Sequence, residues 1–80
     1  MHYVYILRSQ ADGRYYYGST ADLEKRLKAH NFGRVRSTKA RRPFTLHYVE
    51  RMTAKEAAIK RERFFKSPLG YAWLKGKGII

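Results

Sequence analysis

Among the side chains of the first 30 residues of this 80-residue chain, two phenols, a guanidinium and an imidazole are spaced to do chemistry together. They stand in Tyr3-Val4-Tyr5, in Tyr16-Tyr17-Gly18 and in the pair Arg26 and His30, four positions apart. Brought together, Tyr5, Tyr16, Arg26 and His30 could deprotonate water, grip a phosphate and return a proton to a leaving oxygen. A free phenol titrates at about 10 and is a poor base at neutral pH. A neighbouring arginine and a divalent cation would favour the phenolate and make that role possible. The rigid fork of Arg26 suits a phosphate oxygen, although a chain this basic also has ordinary solvated arginines. A histidine at a helix end commonly serves only the helix dipole, so His30 has two uses open to it.

The elements that must position these groups can be read from pattern. Residues 2–8 alternate, with Tyr3, Tyr5 and Leu7 on one face and Val4 and Ile6 on the other, which predicts a strand covered on both sides. Asp12-Gly13 is a hairpin signal, and Arg14 to Gly18 is the returning strand, ended by a glycine that permits a close backbone approach. Residues 22–30 predict a helix capped by Asp22 or Ser19. On it Leu23, Arg26, Leu27 and His30 share a face, the last polar pair about 6 Å apart along the axis. Residues 31–43 carry Arg34, Arg36, Lys39, Arg41 and Arg42 with little apolar content, a basic loop. Phe44 to Glu50, opened by Pro43, predicts a third strand. Thr53-Ala54-Lys55-Glu56 matches a capping box and starts a helix to about Lys66, and Ser67-Pro68 begins a short third helix with Gly76 past its end.

Glu62 is the carboxylate that stands out among six acids. It lies between Ala58 and Phe65 on the second predicted helix, so it should tuck against the sheet, where burial is costly unless the acid is paired or holds a cation. The competing explanation is an ion pair with Arg61, Lys66 or Arg63. Glu56 is accounted for by the capping box.

The order β-β-α-β-α-α, with the two tyrosine tripeptides and an arginine in the first helix, resembles the GIY-YIG nuclease family over most of the chain. The likeness is greatest to its small stand-alone bacterial members. It implies an α+β fold with a three-stranded antiparallel sheet flanked by helices, in one domain over residues 1–80. Tyr5 and Tyr16 match the motif tyrosines, which in the family surround a metal-bound water and the scissile phosphate, with Tyr16 the expected handler of the attacking water. Arg26 matches the family arginine, and His30 a position that is histidine in some members. Glu62 matches the single metal-binding glutamate, implying one Mg²⁺ or Mn²⁺ ion. Tyr3 and Tyr17 replace the usual glycine and isoleucine, Ser19 stands where some members have lysine, and the late asparagine of many members has no counterpart. Asn31 is the only asparagine here.

Composition sets the partner. Eighteen Lys and Arg against six acids give a net charge of +12, which in so small a chain implies a polyanion, most simply nucleic acid. The basic residues line no long amphipathic helix, so no membrane role is expected. Absence of cysteine removes disulfides and thiolate metal sites and fits a cytoplasmic protein. A chain of this size buries only about 60% of its unfolded surface, and the 15% aromatic content helps fill a thin core. The resulting expectation is a metal-dependent endonuclease cutting nucleic acid, DNA ahead of RNA, with Arg34, Arg36, Lys39, Arg41 and Arg42 on the phosphate backbone and no small-molecule cofactor. The alternative is a binding module of the same fold that cuts slowly or never.

Overall fold

The central strand has no polar face, and the rest of the molecule follows from that. In a computed structural model describing residues 1–80, strands β1 (His2–Ser9), β2 (Tyr15–Thr20) and β3 (Phe44–Met52) form one antiparallel sheet in the order β2-β1-β3. Val4, Tyr5, Ile6 and Leu7 of β1 are all buried. Val4 and Ile6 pack with Ala58, Phe65 and Leu74 beneath helices α2 (Lys55–Phe65) and α3 (Pro68–Gly76). Tyr5 and Leu7 pack with Phe44 on the other face, flanked by Leu23 and Leu27 of helix α1 (Leu23–Asn31). The α+β order β-β-α-β-α-α is therefore that expected from the sequence.

Local chemistry sets most element ends. Gly13 adopts φ +72°, and the Asp12 carboxylate accepts from the Arg14 N–H at 2.9 Å, closing the β1–β2 turn. Asp22, not Ser19, caps α1 by accepting from the Lys25 N–H at 3.0 Å. Ser67 caps α3 through Gly70, and a Cβ at Gly70 would collide with the Phe64 carbonyl, so the glycine lets α3 cross α2 closely.

Several boundaries differ from expectation. β2 continues through Gly18 to Thr20, because β1 goes on pairing as far as Tyr3 opposite Thr20. β3 likewise runs on to Met52, opposite His2. The capping box does not form: α2 starts one residue late for it, Ala54 is the N-cap with no side-chain bond, and Glu56 is exposed. Gly76 closes α3 rather than following it, and the left-handed glycine is Gly78 at φ +71°. The basic stretch contains one turn of 3₁₀ helix, Lys39–Arg41.

Candidate active site

The hairpin register brings the tyrosines together. Tyr5 faces Gly18 and Leu7 faces Tyr16, so Tyr5 and Tyr16 are diagonal neighbours on one face, ring centroids 6.4 Å apart. The Tyr5 ring lies across Gly18, where an added Cβ would sit 2.5 Å from the phenol oxygen. The close approach expected at Gly18 is thus to Tyr5 itself.

α1 supplies the other two groups. The His30 ring is fully buried, with centroids 4.9 Å from Tyr16, 5.9 Å from Tyr5 and 6.0 Å from Phe44. Its Nε2 is 3.0 Å from the Tyr5 hydroxyl, and its Nδ1 is 2.8 Å from the Thr38 hydroxyl. Burial, reinforced by the charge of Arg26, lowers the His30 pKa to about 4, so at neutral pH the imidazole is uncharged. A dipole-capping imidazolium is therefore not what the fold builds at this helix end. Arg26 sits one turn back, its charge held by the neighbouring Tyr5 hydroxyl, with Tyr16 also beside it. Burial pushes the Tyr5 phenol up, partly opposed by Arg26. A small cavity of about 160 Å³ opens beside Arg26, lined by Thr20, Asp22, Lys25 and Ala29 as well.

Glu62 reaches β2 from the other side of the sheet. The Ser19 hydroxyl donates to its Oε1 at 2.8 Å, and Lys66 Nζ lies 2.7 Å from its Oε2. Glu62 therefore meets the strand one residue from the glycine under Tyr5, and its charge contributes to raising the Tyr5 pKa. Of the ion-pair partners considered from sequence, Lys66 is the one used. Arg61 instead pairs with Glu50 at 2.8 Å and lies over the rings of Phe64, Phe65 and Trp73.

The basic stretch divides into free and committed cations. Arg34, Arg36 and Lys39 are exposed. Arg41 is half-buried, its guanidinium 3.1 Å from Asp12 and donating to the Tyr15 carbonyl at 3.4 Å, so part of its charge ties the loop to the hairpin. Arg42 is exposed but donates to the Lys39 carbonyl at 2.8 Å. Thr38 is a site neighbour that sequence pattern did not single out. The available signal was weak: a hydroxyl residue in a stretch without periodicity, eight positions beyond His30.

The His30 environment has a measurable consequence. In the unfolded chain His30 titrates near 6.5, whereas in the folded protein it titrates at about 4. Between those values the unfolded state binds a proton that the native state refuses, so stability falls as pH drops through this window. The His30 contribution, about 3 kcal/mol, should be complete above pH 6.5 and gone below about pH 4. Chemical denaturation from pH 7 to 4 measures it, and His30→Gln should flatten this part of the profile. An equal slope in wild type and variant would show that His30 is not buried neutral.

A profile of the GIY-YIG catalytic domain matches residues 1–72. A UPF0213 protein of Bacillus licheniformis is 47% identical over 66 residues, 81% of this chain and 67% of that protein. A UPF0213 protein of Halobacterium salinarum is 40% identical over 63 residues, 78% of this chain and 80% of its own length. The solution NMR structure of a UPF0213 protein from Bacillus halodurans superposes with a TM-score of 0.56 at 36% identity, covering 94% of this chain and 82% of the other. The chain that carries the Tyr5–His30 contact beside Arg26 therefore belongs to the GIY-YIG catalytic domain family, among its UPF0213 members.

Proposed function

We propose that this domain is a metal-dependent endonuclease that hydrolyses phosphodiester bonds, with DNA as its expected substrate. The observation that carries the proposal is the buried Tyr5–His30 contact with Arg26 beside it. A phenol against a neutral imidazole is a group through which a water proton can be withdrawn. A guanidinium at the same place suits a phosphate oxygen. Tyr5, rather than Tyr16, takes the proton-handling role, because it is the phenol that His30 Nε2 touches. Tyr16 packs on the His30 ring and borders the same space, where it orients water or phosphate.

Substrate docking itself favours the proton movement. The charge of Arg26 is one of the two influences that keep His30 weakly basic. A phosphate bound to Arg26 offsets that charge, so His30 becomes a better acceptor as the scissile group arrives. In the free protein the imidazole stays neutral and its proton affinity is held low.

Glu62 fits a divalent ion under one condition. No cluster of three or more acidic, histidine or cysteine ligands exists, and Glu62 is the one carboxylate this reading assigns to the ion. That suits Mg²⁺ or Mn²⁺ when waters and substrate phosphate oxygens complete the shell. Both present partners of Glu62 are displaceable, since Lys66 is a half-exposed side chain and Ser19 a single hydroxyl. When bound, the ion would polarise a phosphoryl oxygen and acidify a coordinated water. The direct test is incubation of purified protein with duplex, branched and single-stranded DNA and RNA, with and without Mg²⁺ or Mn²⁺. Binding without metal-stimulated cutting in every case would make it a nucleic-acid-binding module instead.

Arg34, Arg36 and Lys39 are the exposed cations best suited to a phosphate backbone, with Arg41 and Arg42 supporting the loop's shape. Reversing the three charges to glutamate should weaken duplex binding at every sequence. The slope of log affinity against log salt should become shallower by roughly 2 to 3. Circular dichroism should be unchanged, because none of the three side chains is buried. An unaltered affinity and slope would place the nucleic acid elsewhere.

A further inference from the structure

His30 is held on both sides of its ring, and the second holder comes from the basic stretch. Thr38 is fully buried, its hydroxyl 2.8 Å from His30 Nδ1 and donating to the Val35 carbonyl at 3.3 Å. The Val35 carbonyl can only accept, and a hydroxyl that gives its one proton there is left to accept from the histidine. Nδ1 then carries the hydrogen, and Nε2 keeps a lone pair directed at the Tyr5 hydroxyl, 3.0 Å away. The surroundings of Tyr5 agree. Arg26 beside it can only donate, and His30 Nε2 is the one acceptor within hydrogen-bond distance of the Tyr5 hydroxyl, so the phenol proton goes there. The opposite tautomer would aim two donors at the Tyr5 oxygen and strand the phenol proton in a buried place, where an unpaired donor is destabilising.

We propose that Thr38 is a positioning residue: it holds His30 in the Nδ1–H tautomer, so that Nε2 is ready to take the Tyr5 proton. Its catalytic consequence rests on the nuclease function proposed above, whereas the tautomer itself does not. In the step, the water O–H breaks and its proton goes to the Tyr5 oxygen. The Tyr5 O–H breaks in turn, leaving its electron pair on oxygen, and the Nε2–H bond forms. The products are a hydroxide equivalent for the phosphorus and an imidazolium whose Nδ1–H already has Thr38 as acceptor. No new donor is left unpaired, so the charged intermediate needs no rearrangement. Thr38 lies between Arg36 and Lys39. The segment proposed to follow the phosphate backbone therefore also sets the histidine, and a shift of that segment on nucleic acid would be felt at Tyr5.

The test is nitrogen-15 NMR of the imidazole rings in wild type, Thr38→Val and Thr38→Ser, with His30→Gln assigning the signal. Wild type should show a protonated Nδ1 and an unprotonated Nε2 at His30 at pH 7. Thr38→Ser should keep this state, and Thr38→Val should lose it, with mixed tautomers. On a cleavable duplex Thr38→Val should lower kcat by about 10–100-fold with little change in KM, and Thr38→Ser should restore it. A protonated Nε2 in wild type overturns the proposal even if Thr38→Val fails to fold. So does a Thr38→Val protein with an unchanged tautomer and unchanged kcat. If wild type shows the Nδ1–H tautomer but cuts no substrate, the tautomer assignment stands and the nuclease function falls.

Discussion

Tyr5→Phe is expected to lower the cleavage rate by about 10²–10⁴, the scale on which loss of a positioned proton-transfer group acts. The substitution keeps the ring that lies across Gly18 and removes only the oxygen 3.0 Å from His30 Nε2. It also leaves a buried imidazole nitrogen without its partner, so unfolding should be easier by about 1–3 kcal/mol. Tyr16→Phe should cost a smaller factor, because Tyr16 meets His30 by ring contact at 4.9 Å. Tyr17→Phe is the control. Tyr17 stands opposite Ile6 and packs toward Phe65 on the far face of the sheet, so its variant should cut at close to the wild-type rate. Single-turnover rates on one duplex, with binding measured separately, rank the three. Duplex affinity should survive throughout, since no exposed cation changes. Equal rates in all three variants and wild type would mean that the phenols only pack. A larger loss at Tyr16 than at Tyr5 would return the proton-handling role to Tyr16.

The proposed exchange of roles between the two tyrosines rests on a contact that sequence reasoning does not reach. The four groups Tyr5, Tyr16, Arg26 and His30 were legible together, because hairpin register and helical spacing are short-range rules that put side chains on a common face. Alternation in β1 likewise announced a strand buried on both sides, and Val4 and Ile6 do face α2 and α3 while Tyr5 and Leu7 face α1. Which phenol His30 touches depends on how α1 sits on the sheet, a tertiary matter. Thr38 was invisible for the same reason: its partner is reached by a loop with no period. The Glu50–Arg61 pair joins β3 to α2 and removes Arg61 from the partners of Glu62. Arg41 looked like one of five equivalent cations, until Asp12 across the fold claimed it. The unformed capping box is a different kind of miss. Its residues were right, but the chain leaves β3 so that α2 begins at Lys55, one position beyond where Thr53 could reach.

Glu62→Ala should abolish metal-stimulated cutting, a loss of 10³-fold or more if the ion supplies the several kcal/mol usual for charge stabilisation at a phosphoryl group. The fold should hardly notice. The Glu62–Lys66 pair involves a half-exposed lysine, and such pairs are worth about 0–1 kcal/mol. Alanine is also the better helix former, which offsets part of the lost Ser19 hydrogen bond. Stability should therefore stay within about 1 kcal/mol of wild type in metal-free buffer. Glu62→Gln separates charge from shape, because an amide oxygen can still accept from Ser19 but carries no charge for a cation. It should cut as poorly as Glu62→Ala. Lys66→Ala should act in the opposite direction on metal affinity, since it frees Oε2 from a competing ammonium. Mn²⁺ titration followed by electron paramagnetic resonance, with a non-hydrolysable oligonucleotide present, reads this without relying on turnover. The expected order of affinity is Lys66→Ala, then wild type, with Glu62→Ala and Glu62→Gln far below. If Glu62→Ala cuts normally but is much less stable, Glu62 is a structural ion-pair residue, and the cation, if one is used, is held elsewhere.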